Sequence, residues 1–345
     1  MRLGIDSYSL RWQGWDAFQL LEYSAQLGLD NVHFSERGNL ASLEEGYLKA
    51  LRSQADELGL TVEIGMGSFD RHAASFRPEY GSGERQLSDM LRAAKVVGSP
   101  VVRCFLGTQA DRLGPVPIQQ HVEECVRTLK AVAPLARDLG VKIAVENHGG
   151  VDLLARELRA LVEEAGPDYV GACLDTGNPA YAAEDPVVAA EVLAPYVVTS
   201  HVRDTRVWAV PEGAMAQWAP LGQGNVDLRR ILEILGEHAP QAPVDLEVIT
   251  CIGPKLIPYD DPTSDFWRMY PDMLARDFVR FVALAQRGKP EPLDQLALPP
   301  TSRELPEGEL GERFRAQQRR HFEESVRYAR DVLGIGEKGR SDAGD

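Results

Sequence analysis

Short apolar runs rich in β-branched residues alternate along this chain with longer segments of helical periodicity. The short runs are typical of strands buried on both faces, and the longer segments place apolar residues on one face of a helix. This pattern predicts strands at 3–9, 31–35, 61–66, 100–106, 142–147, 170–175, 197–202 and 244–250. It predicts helices at 15–27, 43–58, 84–97, 118–139, 152–165, 185–195, 227–238 and 271–287. Eight alternating pairs indicate an α/β fold, a (β/α)8 TIM barrel.

Glycines mark the ends of several predicted helices. Gly28, Gly59 and Gly140 each follow a helical segment and precede an apolar run, as expected of a helix-ending residue. An open doubly wound sheet is the competing architecture, but it often carries a glycine-rich phosphate turn after its first strand. The first turn here reads DSYSLRWQGW, and the GxG of Gly222 and Gly224 follows the seventh strand instead. The barrel is therefore the preferred fold.

The chain is expected to divide into a barrel and a C-terminal extension. We predict a metal-dependent barrel over residues 1–288 and a helical extension over residues 289–345. The extension begins with a proline-containing connection at 289–308, continues as a charged helix at about 309–333 and ends in a frayed tail.

Composition and charge exclude several classes of protein. The chain has 345 residues, of which 44% are hydrophobic, so it can bury a large core, and its net charge is −15. This charge, without a run of Lys or Arg, argues against nucleic-acid and membrane partners. The first residues do not resemble a secretion signal and no window of 18 apolar residues occurs, so we expect a cytoplasmic protein. Four cysteines without a CxxC pair are expected to be reduced core residues.

Polar side chains stand at the ends of four successive predicted strands. The segments KIAVENH, VGACLDTGN, VVTSHVRD and VDLEVIT carry Glu146, Asp175, His201 and Glu247. Active sites of (β/α)8 barrels lie at the carboxyl ends of the strands, so these side chains would converge on one rim. One glutamate or histidine at a strand end is more often structural, but four in succession point to a site.

Three carboxylates in a poorly solvated place need a compensating charge, because an ionised carboxylate loses several kcal/mol of hydration there. A divalent cation held by Glu146, Asp175, His201 and Glu247 would compensate them together. Three oxygen donors and one nitrogen donor favour manganese, with cobalt, magnesium or iron as alternatives, whereas zinc prefers more nitrogen or sulfur.

The segments GVKIAVENH, CLDTGNP, SHVRD and LGQGNVDL followed by VDLEV resemble those of the xylose-isomerase-like barrels. That family includes sugar-phosphate isomerases, ketose 3-epimerases, inosose dehydratases and hydroxypyruvate isomerases, and the resemblance covers about residues 1–252. It implies that Glu146, Asp175, His201 and Glu247 hold a divalent metal. It also implies that Glu146 and Glu247 act on opposite faces of a sugar, removing a proton next to a carbonyl.

His148 is a second candidate base. It follows Glu146 by two residues and so points to the same side of an extended strand; a plain loop histidine is the equally weighted alternative. The ENH arrangement and the long C-terminal segment also look similar to the large subunits of bacterial C-glycoside deglycosidases. That resemblance implies that His148 deprotonates a 3-oxo sugar and that the aglycone is eliminated.

Three further side chains are candidate substrate contacts. Arg203 follows His201 where related barrels often carry a basic residue, and His33 lies in the second strand, where a core histidine is an equal alternative. Trp208 lies with Trp218 in an insertion at 205–220 that would cover the substrate, and Trp267 follows the eighth strand. Aromatic faces suit sugar rings or a flat aglycone, but packing of long loops explains them equally well.

These features favour a divalent-metal-dependent enzyme that removes a proton adjacent to the carbonyl of a keto or 3-oxo sugar. We lean to a lyase acting on a 3-oxo glycoside, with a ketose 3-epimerase or sugar isomerase as the alternative and a non-catalytic sugar-binding barrel as a weaker one. An endonuclease barrel is disfavoured by only 7 histidines and the charge of −15. The expected partners are a sugar or glycoside and further copies of the chain, or a small second subunit. The sugar, the native metal and the role of residues 289–345 stay open.

Overall fold

The computed structural model describes residues 1–299 and 304–336. Its strands are β1 (Leu3–Asp6), β2 (Asn31–Phe34), β3 (Thr61–Ser68), β4 (Val101–Phe105), β5 (Lys142–Glu146), β6 (Val170–Asp175), β7 (Val197–Val202), β8 (Asp204–Val210), β9 (Gly213–Ala219), β10 (Val244–Leu246) and β11 (Lys255–Ile257). Eight of them form a closed parallel barrel in the order β1, β2, β3, β4, β5, β6, β7 and β10. The predicted (β/α)8 barrel is confirmed.

Helices lie between successive barrel strands. They are α1 (Ala17–Gln26), α2 (Glu45–Glu57), α3 (Gly83–Val97), α4 (Ile118–Leu139), α5 (Ala155–Ala165), α6 (Pro186–Leu193), α7 (Leu228–His238), α8 (Asp265–Met269), α9 (Ala275–Arg287) and α10 (Gly308–Asp331). Gly28 and Gly140 follow α1 and α4 with φ of +66° and +64°, a conformation that glycine adopts without the steric cost of a Cβ. The glycine-based helix ends are therefore confirmed.

The insertion after the seventh barrel strand is a sheet rather than an open loop. Strands β8 and β9 form an antiparallel hairpin, and β11 extends it on the β9 edge. The alternation of RVWAV before the turn at Gly213, whose φ is +142°, is the local signal for such a hairpin. Val207 and Ala216 of the hairpin pack with Phe281 of α9 in a second hydrophobic cluster, separate from the barrel core.

The C-terminal helix α10 shares the core of the barrel. Phe322, Val326 and Ala329 belong to the same hydrophobic cluster as the barrel strands. Tyr23 of α1 donates to Glu323 at 2.7 Å, and Arg229 of α7 donates to the Val332 carbonyl at 3.0 Å. Helix α10 therefore lies between α7 and α1 and completes the outer ring of helices. The sequence pattern assigned this eighth position of the ring to the helix predicted at 271–287.

Helix α9, which corresponds to the predicted helix at 271–287, packs on the hairpin and not in the ring, because its buried residues join the second cluster.

The charged helix predicted at about 309–333 is present as α10. The predicted boundary between residues 288 and 289 stays a prediction, although the packing joins α10 to the barrel. The predicted frayed tail falls almost wholly outside the described residues. None of the described helices combines the length and the apolar character that a membrane crossing requires.

If α10 is part of the barrel core, removing its central aromatic side chain will destabilise the whole barrel. Phe322 is fully buried, and we expect Phe322→Ala to lower the free energy of unfolding by about 3–5 kcal/mol. The measurement is urea unfolding followed by circular dichroism. Leu310 lies on the same helix and is 43% exposed, so Leu310→Ala is the matched control. Equal small effects of the two changes would contradict the assignment of α10 to the core.

A buried carboxyl group near the start of α5 should make stability depend on pH. Glu184 accepts hydrogen bonds from the Ala155 amide at 3.2 and 3.3 Å, and burial raises its pKa to about 8. The folded chain therefore keeps a proton that the unfolded chain loses near pH 4.5, so this group lowers stability as the pH rises from about 4.5 to 8.

We expect Glu184→Gln to remove that dependence, because glutamine accepts the same hydrogen bonds without titrating. Urea unfolding at pH 5 and pH 9 will show a smaller loss of stability in the variant than in the unmodified protein. The control is Glu237→Gln, which changes an exposed glutamate of α7. An unchanged difference between the two pH values would show that Glu184 is not the responsible group.

Candidate metal centre

The four residues predicted at successive strand ends converge on one buried cluster, called here the candidate centre. It consists of Glu146, Asp175, His201 and Glu247, and one ligand atom from each lies within 4.8 Å of the others. Glu146 and Asp175 are the last residues of β5 and β6, and Glu247 directly follows β10. The barrel register produces this convergence, because Asp175 is the partner of His201 across β6 and β7.

The imidazole of His201 lies between two sets of acceptors. Its Nδ1 is 3.1 Å from a Glu146 oxygen and 3.3 Å from a Glu247 oxygen, yet this buried atom forms no hydrogen bond. Its Nε2 is 3.3 Å from Asp6 and 3.2 Å from Nδ1 of His33. An Nδ1 that faces carboxylate oxygens without a hydrogen bond is an arrangement that suits a divalent cation.

The protonation of His201 leads to the same conclusion. Burial disfavours the charged ring, but Cys173, Asp6 and Glu146 outweigh burial and raise the pKa of His201 well above its usual value. A positive charge is thus favoured between these carboxylates, whether a proton or a metal ion supplies it. Metal binding at such a site would displace that proton.

Two arginines also compensate the negative charge of the carboxylates, a role that the sequence analysis assigned to a divalent metal ion. Arg203 donates to Asp175 at 2.7 Å and to Glu247 at 2.5 Å. Arg103 of β4 donates to Glu146 at 2.5 Å and to Glu36 at 3.4 Å. Burial favours neutral carboxyls, but these guanidinium groups hold the pKa values of Glu146 and Glu247 below their ordinary range, with His201 helping at both.

Arg103 and Asp6 were missed by the sequence analysis. Each had a local signal, since Arg103 is a charged residue inside the apolar run VVRCF and Asp6 ends the first strand, LGID. Asn178, shortly after β6, also contacts two residues of the candidate centre. Its backbone donates to Asp175 at 2.6 Å and its side chain contacts the Asn147 carbonyl and Glu146 at 3.0 and 3.5 Å.

His148 lies beside the candidate centre at the end of β5. Its ring stacks on Phe105, with centroids 3.6 Å apart and planes 13° apart. Its Nδ1 is 2.8 Å from the Gly107 carbonyl, and a carbonyl accepts only, so Nδ1 carries the proton and Nε2 keeps its lone pair. Burial lowers the pKa of His148 to about 4, so the ring is neutral at neutral pH.

His33 lies inside the barrel behind His201. It is fully buried, and its Nδ1 is 3.7 Å from Glu63 and 3.6 Å from Asp245. These contacts correspond to the core histidine that the sequence left as an alternative, and they put the ring behind His201 rather than at the open end.

Of the two tryptophans in the hairpin, Trp218 rather than Trp208 contacts an arginine near the candidate centre. The guanidinium of Arg203 lies 4.7 Å from the Trp218 ring, and Tyr181 packs on the same ring at 4.8 Å. Trp208 is only 4% exposed, on β8 opposite Met215. A substrate contact by Trp208 therefore stays a prediction without a supporting contact.

If the candidate centre binds a divalent ion, Mn²⁺ will bind in a 1:1 ratio and isosteric changes at the centre will weaken it. We expect Glu247→Gln to remove measurable binding, because it deletes a charged ligand. Asp6→Asn should weaken binding roughly 10- to 100-fold, since it removes the negative charge that lies 3.3 Å from Nε2 of His201. Isothermal titration calorimetry and electron paramagnetic resonance of free Mn²⁺ measure both effects.

The matched control for this experiment is Glu184→Gln, because Glu184 is an equally buried carboxyl outside the candidate centre. Its Mn²⁺ affinity should equal that of the unmodified protein. If all three variants bind Mn²⁺ equally, the ion does not use these side chains.

A model of the xylose isomerase-like TIM barrel family matches residues 21–263. This chain therefore belongs to the xylose isomerase-like TIM barrel family. The family resemblance drawn from the sequence is confirmed.

Two relatives align over part of the chain. One is the uncharacterized protein YihM of Escherichia coli strain K12, which is 22% identical over 229 residues, or 64% of this chain and 64% of that protein. The other is the 3-oxo-isoapionate decarboxylase of Pectobacterium atrosepticum, 23% identical over 211 residues, or 59% of this chain and 69% of that protein. The chain thus spans slightly less than two thirds of the length of YihM.

Solved structures share the fold. A D-psicose 3-epimerase with D-tagatose from Clostridium cellulolyticum H10 superposes with a TM-score of 0.59 at 17% identity, over 83% of this chain and 96% of that one. A xylose isomerase-like TIM barrel protein from Mycobacterium smegmatis in complex with magnesium gives 0.56 at 14% identity, over 82% and 96%. At these identities the likeness shows the fold alone.

Proposed function

We propose that this protein is a divalent-metal-dependent enzyme that removes a proton adjacent to the carbonyl of a keto or 3-oxo sugar. The observation that carries the proposal is the candidate centre, in which three carboxylates gather around His201 at the carboxyl ends of the barrel strands and two of them face its unpaired Nδ1. A cation bound there acts as a Lewis acid and stabilises the negative charge that develops on the substrate oxygen. Manganese is the favoured ion of this proposal.

Within this reaction the proposed base is Nε2 of His148. The hydrogen bond from Nδ1 to Gly107 and the stack on Phe105 hold the ring in one tautomer and one orientation. A base must be fixed within reach of the proton that it removes. Arg203 is the proposed contact for a substrate oxygen, because one of its nitrogens is buried without a hydrogen-bond partner.

We favour a lyase outcome on a 3-oxo glycoside. His148 would take the proton from C2, the electron pair of that C–H bond would form the C1=C2 double bond, and the C1 bond to the aglycone would break. The aglycone leaves with the bonding pair and takes up a proton. The relative named as a 3-oxo-isoapionate decarboxylase supports a 3-oxo substrate, since loss of CO2 from a 3-oxo acid also leaves negative charge next to a carbonyl.

The alternative outcome is a ketose 3-epimerase or a sugar isomerase. It is favoured by the two glutamates of the candidate centre and by the likeness of the fold to D-psicose 3-epimerase. In that case Glu146 and Glu247 would move the proton on opposite faces of the sugar.

A homo-oligomer and a small second subunit also belong to the proposal as expected partners, and the mass of the protein in solution tests both.

The decisive measurement is proton NMR of the Mg²⁺-loaded protein in deuterated water with 3-oxo O-glycosides, 3-oxo C-glycosides and free ketoses. We expect release of the aglycone, and we expect His148→Gln to slow it roughly 100- to 10,000-fold. Glutamine keeps a donor for the Gly107 carbonyl, so Mg²⁺ affinity should not change. His238→Gln alters an exposed histidine of α7 and should leave the rate unchanged.

Other results would assign the activity differently. Deuterium in an intact, rearranged ketose would replace the lyase with an epimerase or isomerase. Neither release nor exchange in a chain shown to hold Mg²⁺ would mean that the proposed substrate class is wrong or that the small second subunit is required.

A further inference from the structure

Arg11 lies beside the candidate centre and was not assigned a role by the sequence analysis. It directly follows a 3-10 turn at Ser7–Leu10. Ser9 fixes this turn to the strand that leads to Glu247, because its hydroxyl donates to the Leu246 carbonyl and accepts from the Val248 amide, both at 2.8 Å. The turn therefore holds Arg11 at the carboxyl end of the barrel, within electrostatic range of Glu247.

The guanidinium of Arg11 is packed between two aromatic rings. Its central carbon lies 4.4 Å from the ring centre of Tyr8 and 4.0 Å from that of Trp12. One nitrogen donates to the Tyr8 carbonyl at 3.2 Å. A stacked guanidinium keeps its plane fixed and leaves the donors on its edge available for a carboxylate or phosphate.

Arg11 differs from the other two arginines near the candidate centre. Arg103 and Arg203 each donate to carboxylates, whereas no carboxylate of the described residues forms an ion pair with Arg11. Burial lowers the pKa of Arg11, and Tyr8, Cys251 and Glu247 act in the opposite direction without outweighing burial. A half-buried cation without a counter-ion costs free energy, so it needs another reason to be there.

The charge balance gives that reason. The three carboxylates of the candidate centre and Glu36 are already paired with Arg103, Arg203 and His201, and Asp6 lies 3.3 Å from His201. None of these carboxylates therefore needs Arg11, and no ion pair among the described residues includes it. A neutral sugar would leave it uncompensated, whereas an anionic group on the substrate would pair with it.

We propose that Arg11 binds an anionic oxygen group of the substrate, so that this site takes a sugar acid or a sugar phosphate rather than a neutral sugar. This assignment rests on the proposed function and narrows its substrate class. Two donors on the guanidinium edge fit two oxygens of either group. The tests below distinguish the carboxylate from the phosphate.

The experiment measures binding without turnover, using matched pairs of acids and alcohols. Glycerate, threonate, xylonate and gluconate are titrated by calorimetry into the Mg²⁺-loaded protein, beside glycerol, threitol, xylitol and glucitol. Each pair differs only in a carboxylate and a CH2OH group. Glycerol 3-phosphate and glucitol 6-phosphate test the phosphate. We expect at least one anion to bind roughly 10- to 100-fold more tightly than its alcohol.

Arg11→Gln should abolish that preference while changing the affinity for the alcohols less than about twofold. Whichever group loses more affinity in this variant, carboxylate or phosphate, is the one that Arg11 binds. Arg11→Met keeps the aliphatic part of the stack and is the second removal variant if Arg11→Gln does not fold. Arg92→Gln is the charge-matched control, because Arg92 lies exposed on α3.

Three results would overturn the proposal. The first is that acids and phosphates bind no better than the alcohols, which includes no binding by any of them. The second is that the preference survives in Arg11→Gln, which would assign it to the metal ion or to Arg203. The third is that the preference vanishes in Arg37→Gln, since Arg37 is stacked on Tyr80 at 4.2 Å and one of its nitrogens is buried without a partner.

Failure of this proposal and failure of the proposed function give different results. If proton exchange or aglycone release occurs with neutral sugars and Arg11→Gln has no effect on binding, only the assignment of Arg11 is lost. If the anions bind through Arg11 but no 3-oxo sugar or ketose reacts, including those that carry a carboxylate or a phosphate, the anion site stands and the proposed reaction is wrong.

Discussion

Compensation of buried charge is the constraint on which the open end of this barrel depends. The carboxylates of Glu146, Asp175 and Glu247 approach one another and His201 within 4.8 Å, where ionised groups without partners would cost several kcal/mol each. Arg103 within β4 and Arg203 directly after β7 reduce that cost. A shift of one residue in β4 or β7 would turn the side chain of Arg103 or Arg203 to the other face of the sheet and leave a carboxylate unpaired. The buried charges and the strand register therefore constrain each other.

The loops around the candidate centre are held by hydrogen bonds that reach back to the strands. Asp204, at the base of the hairpin, accepts from the amides of Gly222 and Gly224, both at 2.9 Å. A Cβ on Gly224 would lie 2.0 Å from the Asp204 carboxylate, and Gly222 has a φ of +83°. The two glycines of this GxG are therefore explained by the hydrogen bonds that their amides donate to Asp204, and no phosphate ligand is needed to account for them.

Local pattern was sufficient for the eight barrel strands and for the convergence of the candidate centre. Each strand is a continuous apolar run, and parallel closure brings every carboxyl end to one rim, so the convergence of Glu146, Asp175, His201 and Glu247 follows once the strands are known. Their role as metal ligands is a further step that stays a prediction. Arg103 lies opposite Ala144 in the register of β4 and β5. Its ion pair with Glu146, two residues further along β5, is made by the reach of its long side chain and could not be read from the strands alone.

The sequence pattern could not predict features that depend on packing between distant parts of the chain. Helices α9 and α10 are both amphipathic, and nothing in their periodicity says which one packs on the barrel and which one on the hairpin. The same difficulty applies to Trp208 and Trp218, which share one hairpin on different strands. Strand alternation does not say which tryptophan reaches Arg203, because that depends on how the hairpin folds over the barrel.

The barrel order sets the direction in which a substrate would lie across the candidate centre. In the closed order, β5 and β1 are four strands apart in either direction, so their loops stand on opposite sides of the open end. His148 follows β5, and Arg11 follows the turn after β1. His201 lies between these two strand ends, because its ring contacts both Asp6 of β1 and Glu146 of β5. A substrate anchored by its anionic group at Arg11 would extend over the candidate centre towards His148. The four residues of the centre would then supply the chemistry that the family shares, while these two loops would determine which molecule is presented to it and which proton is removed.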